Sequence, residues 1–123
     1  MTRINAGIPV EELSDKHLLA EHREIKRIPN MVTSGKAKLE IIPKEFTLGK
    51  GHVKFFYDKN KFTYNRYCLI YSECKRRGFN VEWYGGAWNL FILDHYQHLN
   101  KDWEPTPEAN ELIRQRIKER NNV

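Results

Sequence analysis

The chain has 123 residues, 21 Lys plus Arg against 16 Asp plus Glu, a formal charge of +5, and 40% apolar and 12% aromatic residues. A chain this long buries roughly 65–70% of its unfolded surface, enough for one ordinary core and too little for two, and its apolar share excludes wholesale disorder. The longest apolar stretch, around Leu90 to Leu93, falls far short of the ~18 residues of a membrane span, no charged-then-apolar leader opens the chain, and Cys68 and Cys74 suit neither a zinc knuckle nor a disulfide framework.

These features predict a single domain over residues 1–123, with no membrane contact, in a reducing cytoplasm. Lys plus Arg against Asp plus Glu number 5 and 5 in residues 1–27, 11 and 5 in residues 28–82, and 5 and 6 thereafter. A basic middle fits a solvated surface or a nucleic-acid partner, and charge alone does not separate the two.

In chain order, Pro9 suits a first helical turn, and Val10, Leu13, Leu18, Leu19 and Ile25 carry a helical period as far as Pro29, which predicts a helix over residues 9–27. Leu13, His17, Ala20, Glu24 and Arg27 share one side of it and Leu18, His22 and Ile25 another. Residues 30–57, with Gly35, Pro43, Gly49 and Gly51, read as loops joining short packed pieces such as Leu39-Glu40-Ile41-Ile42. A second helix follows Asp58, with Phe62, Cys68, Tyr71 and Cys74 inward, and stops at Gly78 behind Lys75, Arg76 and Arg77. Residues 79–104 are aromatic and match no single period. A third helix starts with Thr106 as cap and Pro107 as first residue, and Ala109, Leu112, Ile113, Arg116 and Ile117 form its stripe; Glu119 to Val123 should fray. The expected fold is all-α, one compact domain of about three main helices with long loops.

Several motifs fall short. His17, Glu21, His22, His95 and His98 supply pairs of potential ligands without the spacing of a zinc site, so no metal is expected. Gly49-Lys50-Gly51-His52 lacks the ending of a phosphate loop and reads as a turn, and the aromatic run after residue 79 is better suited to a core than to stacking bases. No cofactor is indicated.

The N-terminus is sharper. Met1 precedes the small residue Thr2, after which initiator methionine is normally removed. The α-amine so exposed has an ordinary pKa of about 7.7–8.0, against about 10.4 for lysine, so near neutral pH roughly a quarter of it is a free nucleophile. Arg3, Arg23, Lys26 and Arg27 are cations that could lower it further. The same residues would equally suit an ordinary start followed by a salt-bridged helix face.

Four ordered blocks then become recognisable: Met1-Thr-Arg-Ile-Asn5; Glu12-Leu-Ser-Asp-Lys-His-Leu-Leu-Ala-Glu-His-Arg-Glu24 with Arg27; Phe46 with Leu48-Gly-Lys-Gly-His-Val53 and Phe55-Phe-Tyr-Asp-Lys59; and Glu73-Cys-Lys-Arg-Arg-Gly-Phe-Asn80. Together they resemble the pyrimidine-dimer DNA glycosylase/AP lyase family, the type represented by endonuclease V of T-even phages. The resemblance implies a mainly helical fold, excision of a damaged base from double-stranded DNA, and strand cleavage by β-elimination through an imine on the N-terminal amine. It implies Thr2 as nucleophile, Glu24 as catalytic carboxylate, and Arg3, Arg23 and Arg27 as DNA-binding residues, with Lys16 and His22 replacing a glutamine and a tyrosine beside the same DNA. It also implies a monomer at work in the cytoplasm, the host's if the chain is phage-encoded. Residues 81–103 do not resemble the prototype, and Arg120-Asn-Asn-Val123 has none of the prototype's aromatic, basic tail, so a different lesion or abasic sites alone are the natural variant. A catalytically silent DNA-binding protein of the same fold, or a basic helical protein with no DNA role, are the alternatives.

Overall fold

The computed structural model describes residues 2–121 and is built from helices: α1 (Asp15–Glu24), α2 (Arg27–Thr33), α3 (His52–Phe55), α4 (Asn60–Arg76) and α5 (Pro107–Asn121), with 3-10 turns at Val10–Glu12, Gly85–Ile92 and Asp94–Leu99. Among the described residues the only extended pairing is a lone bridge between Lys59 and Asn100, so the fold is all-α as the patterning predicts.

The helix predicted over residues 9–27 is divided. Pro9 is extended and leads into the Val10–Glu12 turn, Leu13 is extended again, and Ser14 then caps α1 by accepting the His17 N–H at 3.2 Å. Pro29 does not end the structure. The chain turns at Ile25–Lys26 and restarts as α2, where Pro29 is the third residue and its missing N–H would have had no helical partner anyway. Residues 30–57, expected to be loops joining short packed pieces, hold most of α2 and all of α3, two short helices of 7 and 4 residues. Gly51, at φ 93, turns the chain into α3 in a conformation that disfavours any side chain. The piece Leu39-Glu40-Ile41-Ile42 does not pack as a unit: Ile42 reaches the core, while neighbouring Ile41 is 81% exposed.

The predicted limits of α4 hold, with Gly78 at φ 84 closing it. Its inward face is rotated from the predicted one. Cys74 is buried and Phe62 and Tyr71 partly so, yet the centre of the face is Thr63, Arg66, Tyr67 and Ile70, and Cys68 is only half-buried. The polar members of that face have partners: Asn60 donates to the Tyr57 and Leu99 carbonyls at 2.8 and 3.0 Å, and Thr63 accepts the Trp88 indole N–H at 2.9 Å. The aromatic stretch forms the two later 3-10 turns, which put Trp88, Phe91 and Leu99 into the core. Thr106 caps α5 as expected, its hydroxyl accepting the Ala109 N–H at 3.1 Å. Ala109 and Ile113 are buried, but Leu112 is exposed. The helix continues through Asn121, and Glu119 to Asn121 are its last residues; Asn122 and Val123 lie outside the described residues.

Residues 2–8 run through the middle of these helices without regular structure, with Ile4, Ala6 and Ile8 buried. They are held by side chains. Arg66 of α4 grips Glu21 of α1 with Nε at 2.9 Å and a second nitrogen at 3.2 Å, and its third nitrogen donates to the Ile8 carbonyl at 2.6 Å. Asn5 donates to Glu21 at 2.8 Å and accepts from Arg116 of α5 at 3.2 Å. The exposed pair Arg114–Glu12, at 3.3 Å, is of another kind.

Removing one partner of a buried pair leaves the other charge unmatched. Arg66→Met should therefore lower the unfolding free energy in urea by about 3–5 kcal/mol, and Arg114→Ala by about 0–1 kcal/mol.

Candidate active site

The N-terminal segment passes the junction of α1 and α2. Glu24, the last residue of α1, accepts the Arg3 backbone N–H at 3.2 Å through Oε1, and its Oε2 lies 3.7 Å from the Arg23 guanidinium. Arg27, the first residue of α2, donates to the Thr2 hydroxyl at 3.4 Å. The turn at Ile25–Lys26 brings these contacts about: Thr2, 8% exposed, lies between the end of one helix and the start of the next. Five of the seven residues singled out from the sequence, Thr2, Arg3, Arg23, Glu24 and Arg27, thus meet within one short span of structure.

Two openings flank them. On one side Arg3, Asn5, His17, Ala20, Glu21 and Glu24 line a narrow cleft of about 40 Å³, closed by Arg116, Ile117 and Arg120 of α5. On the other, a wider cavity of about 480 Å³ is lined by Thr2, Arg27, Asn30, Met31, Ser34, Lys36, Val53 and Tyr57. The narrow cleft is crowded with cations. Burial, then Arg3 and Arg120, push the Arg116 guanidinium down to about 10, with Glu21 and Glu24 partly offsetting them; it stays charged at neutral pH. Arg3 is lowered by burial and by Arg120, and His17 by burial, Lys16, Arg120, Arg3 and Arg116. Since Glu21 is already paired with Arg66, Glu24 stands against several positive groups. That arrangement suits a polyanion.

Lys16 is exposed on α1 and belongs to this cationic field through its effect on His17. His22 is placed elsewhere. It is 4% exposed, its Nε2 lies 2.9 Å from the Glu82 carbonyl and 3.0 Å from the Tyr67 hydroxyl, and Tyr71 and Tyr84 cover its ring. Burial lowers its basicity. His22 is a core residue in this structure, buried among aromatic side chains.

Three contributors were not singled out from the sequence. Arg116 shows only one signal there, a cation set in a stripe otherwise made of Ala109, Leu112, Ile113 and Ile117, and Arg120, four residues on, shows none. His52 is the third, hidden in a motif that reads as a turn. It is 2% exposed; Nε2 accepts the Ile4 N–H at 3.0 Å, so Nδ1 carries the hydrogen and donates to the Thr47 carbonyl at 2.9 Å. Burial pushes its pKa down to about 4 against the bond to Thr47, with smaller effects from Arg116, Glu21 and Arg3. Among the described residues no group of three or more metal-ligating side chains occurs.

The family model described as pyrimidine dimer DNA glycosylase matches residues 1–83. That span covers α1 to α4 and every site residue named above except Arg116, Ile117 and Arg120 of α5.

His52 also sets a pH dependence. Between its ordinary value of 6.5 and about 4 the unfolded imidazole is protonated and the folded one is neutral, so stability present above pH 6.5 is lost as pH falls through that window, by about 3 kcal/mol at most. Urea unfolding at pH 7 and pH 4 should show this loss, and His52→Gln should lose correspondingly less.

Proposed function

The chain belongs to the pyrimidine dimer DNA glycosylase family, and from that membership we propose that it excises damaged bases from double-stranded DNA and then cuts the strand as an AP lyase, through an imine on the Thr2 α-amine. In this reading residues 1–123 act as one domain and as a monomer, after removal of Met1. The observation that carries it is the Glu24 carboxylate on the Arg3 amide at 3.2 Å, which leaves the Thr2 nitrogen one residue from a carboxylate and in a cluster of arginines.

The chemistry follows from that neighbourhood. The neutral amine bonds to C1′ as the bond from C1′ to the base breaks, and the base leaves with the bonding electrons and takes up a proton. The amine nitrogen next gives a proton to Glu24 and expels O4′, which takes that proton back from Glu24; the sugar ring is open and the linkage is a cationic imine. Covalent catalysis thus divides a hard hydrolysis into easier steps. The imine acidifies C2′, Glu24 removes that proton, and the bond from C3′ to the phosphate oxygen breaks. Water finally hydrolyses the imine and frees Thr2. Glu24 serves throughout as a proton carrier and a counter-charge. Arg3, Arg23 and Arg27, with Lys16, Arg116 and Arg120, would hold phosphates and so position the strand without reading its sequence.

A second reading, retained fold and chemistry with another lesion preference, is favoured by one fact: the family match ends at residue 83, while Gly85–Leu99 and α5 lie beyond it. Matched duplexes carrying a cyclobutane dimer, an abasic site or no damage separate the readings, since the variant cuts only the abasic or another damaged strand and a silent binder cuts none.

Borohydride added to protein and an abasic duplex should trap an adduct on the peptide beginning at Thr2, and an N-terminal extension should abolish it; an adduct indifferent to the extension overturns the nucleophile. Glu24→Gln should bind duplex normally and cut about 10²–10⁴-fold more slowly. Arg27→Ala should reduce the slope of log affinity against log salt by about 1.

A further inference from the structure

We propose that His52 is a positioning residue for the nucleophile: by accepting the Ile4 backbone N–H at 3.0 Å, its imidazole holds the N-terminal segment in the course that aims the Thr2 amine beside Glu24. The proposal rests on the reading of Thr2 as nucleophile and adds a requirement to it.

Chain ends without regular structure fray unless something ties them down. Here two consecutive amides are tied by side chains from two different helices, Arg3 by the last residue of α1 and Ile4 by the first residue of α3. Glu24 cannot be a rigid tether by itself, because it also faces Arg23 and, in the proposed reaction, moves protons. His52 can. Its Nδ1–H is fixed on the Thr47 carbonyl at 2.9 Å, and Phe46 and Phe56 box the ring edge-on, each with its centroid 5.4 Å away. The ring has one orientation and one tautomer, and its lone pair points at Ile4.

The Ile4 amide is buried with a side chain that is 0% exposed, so without His52 it loses its partner and the segment must shift to find another. Displacing a reacting group by about 1 Å costs on the order of 10²-fold in rate. Duplex binding is spread over the arginines of α1, α2 and α5, and of the proposed phosphate contacts Arg3 alone sits on the tied segment, so binding is far less sensitive to that displacement. Protonation would have the same effect as substitution, since a protonated imidazole offers an N–H where Ile4 needs a lone pair. The charged groups facing the ring are Arg3 of the N-terminal segment, Arg116 of α5 and Glu21 of α1, and Glu21 is already paired with Arg66, so the surroundings favour the neutral ring.

Two substitutions divide the imidazole between them. His52→Asn keeps an amide donor near Nδ1 for Thr47 and removes the acceptor; His52→Gln places an oxygen near Nε2 and keeps the acceptor. Each full-length protein is assayed for its single-turnover rate of borohydride-trapped adduct on an abasic duplex, and for duplex affinity. The expected result is a rate lower by about 10–100-fold in His52→Asn, with affinity falling far less than the rate, and recovery of most of that rate in His52→Gln. Equal rates in wild type and His52→Asn, parallel losses of rate and affinity, or a glutamine no better than asparagine would overturn the proposal while leaving Thr2 as nucleophile. A wild-type protein that traps nothing on Thr2 overturns the nucleophile and the positioning role together. Should His52→Asn not fold, amide NMR of the wild type decides: the Ile4 N–H resonance should move with the titration of the His52 ring nitrogens near pH 4, and independence of the two contradicts the hydrogen bond on which the role depends.

Discussion

The pair formed by Glu21 and Arg66 is the tie on which the rest depends. Both side chains are almost wholly buried, and taking two such charges out of water is costly, so the pair is poor evidence of stability for its own sake. Its value lies in what else the two groups reach. Glu21 also receives Asn5, and Arg66 also reaches the Ile8 carbonyl. An apolar pair of equal volume could join α1 to α4, but it could not hold the backbone of residues 5 to 8. The charges therefore specify a path for the N-terminal segment, and that path puts Arg3 on Glu24, one turn beyond Glu21 on the same helix.

Around that tie the site is assembled from helix ends. Ser14 sets where α1 begins, and ten residues later the helix finishes at Glu24. The chain restarts at Arg27, and α3 contributes His52 at its first position. Groups at helix ends can converge on a single extended segment from several directions, as groups along one helix face cannot. Aromatic packing keeps the loop carrying Thr47 in place beneath His52: Phe46 meets Phe55 and Phe56 edge-on and stacks on Trp103 at 5.7 Å.

Much of this was legible in the sequence, and the parts that were not share a cause. The period of α4, the cap of α5 and the stop at Gly78 depend on local preferences that neighbouring residues reveal. Pro9 and Pro29 misled because proline has two meanings near a helix, and only the tertiary course of the chain decides between a first turn and a stop. The inner face of α4 was misplaced because Thr63 and Arg66 count as outward residues until their partners far away in sequence, Trp88 for the one and Glu21 and the Ile8 carbonyl for the other, are known. His22 shows the reverse: assigned to the DNA side by the family resemblance, it is enclosed by Tyr67, Tyr71 and Tyr84, which arrive from α4 and the turn beyond it. His52 went unnoticed because its partners are backbone groups, which leave no trace in a pattern of side chains.

Arg116 and Arg120 bring the family-matched segment and the remainder of the chain together. α5 lies outside residues 1–83, yet it supplies one wall of the cleft beside Glu24 and a hydrogen bond to Asn5. Its cations repel others at close range, since Arg3 and Arg120 both lower the basicity of Arg116 and Arg120 lowers that of Arg3 as well. Such repulsion is relieved by an anion, and a phosphodiester entering the cleft would replace it with charge-assisted hydrogen bonds. Under the proposed function this gives binding energy a direct outlet: the ligand removes an unfavourable contact of the free protein in addition to making favourable ones. It also separates two kinds of residue in the same few ångströms. In that reading Arg116 and Arg120 hold the strand and His52 holds the chain that attacks it, while Asn5, bonded to both Glu21 and Arg116, links α5 to the N-terminal segment.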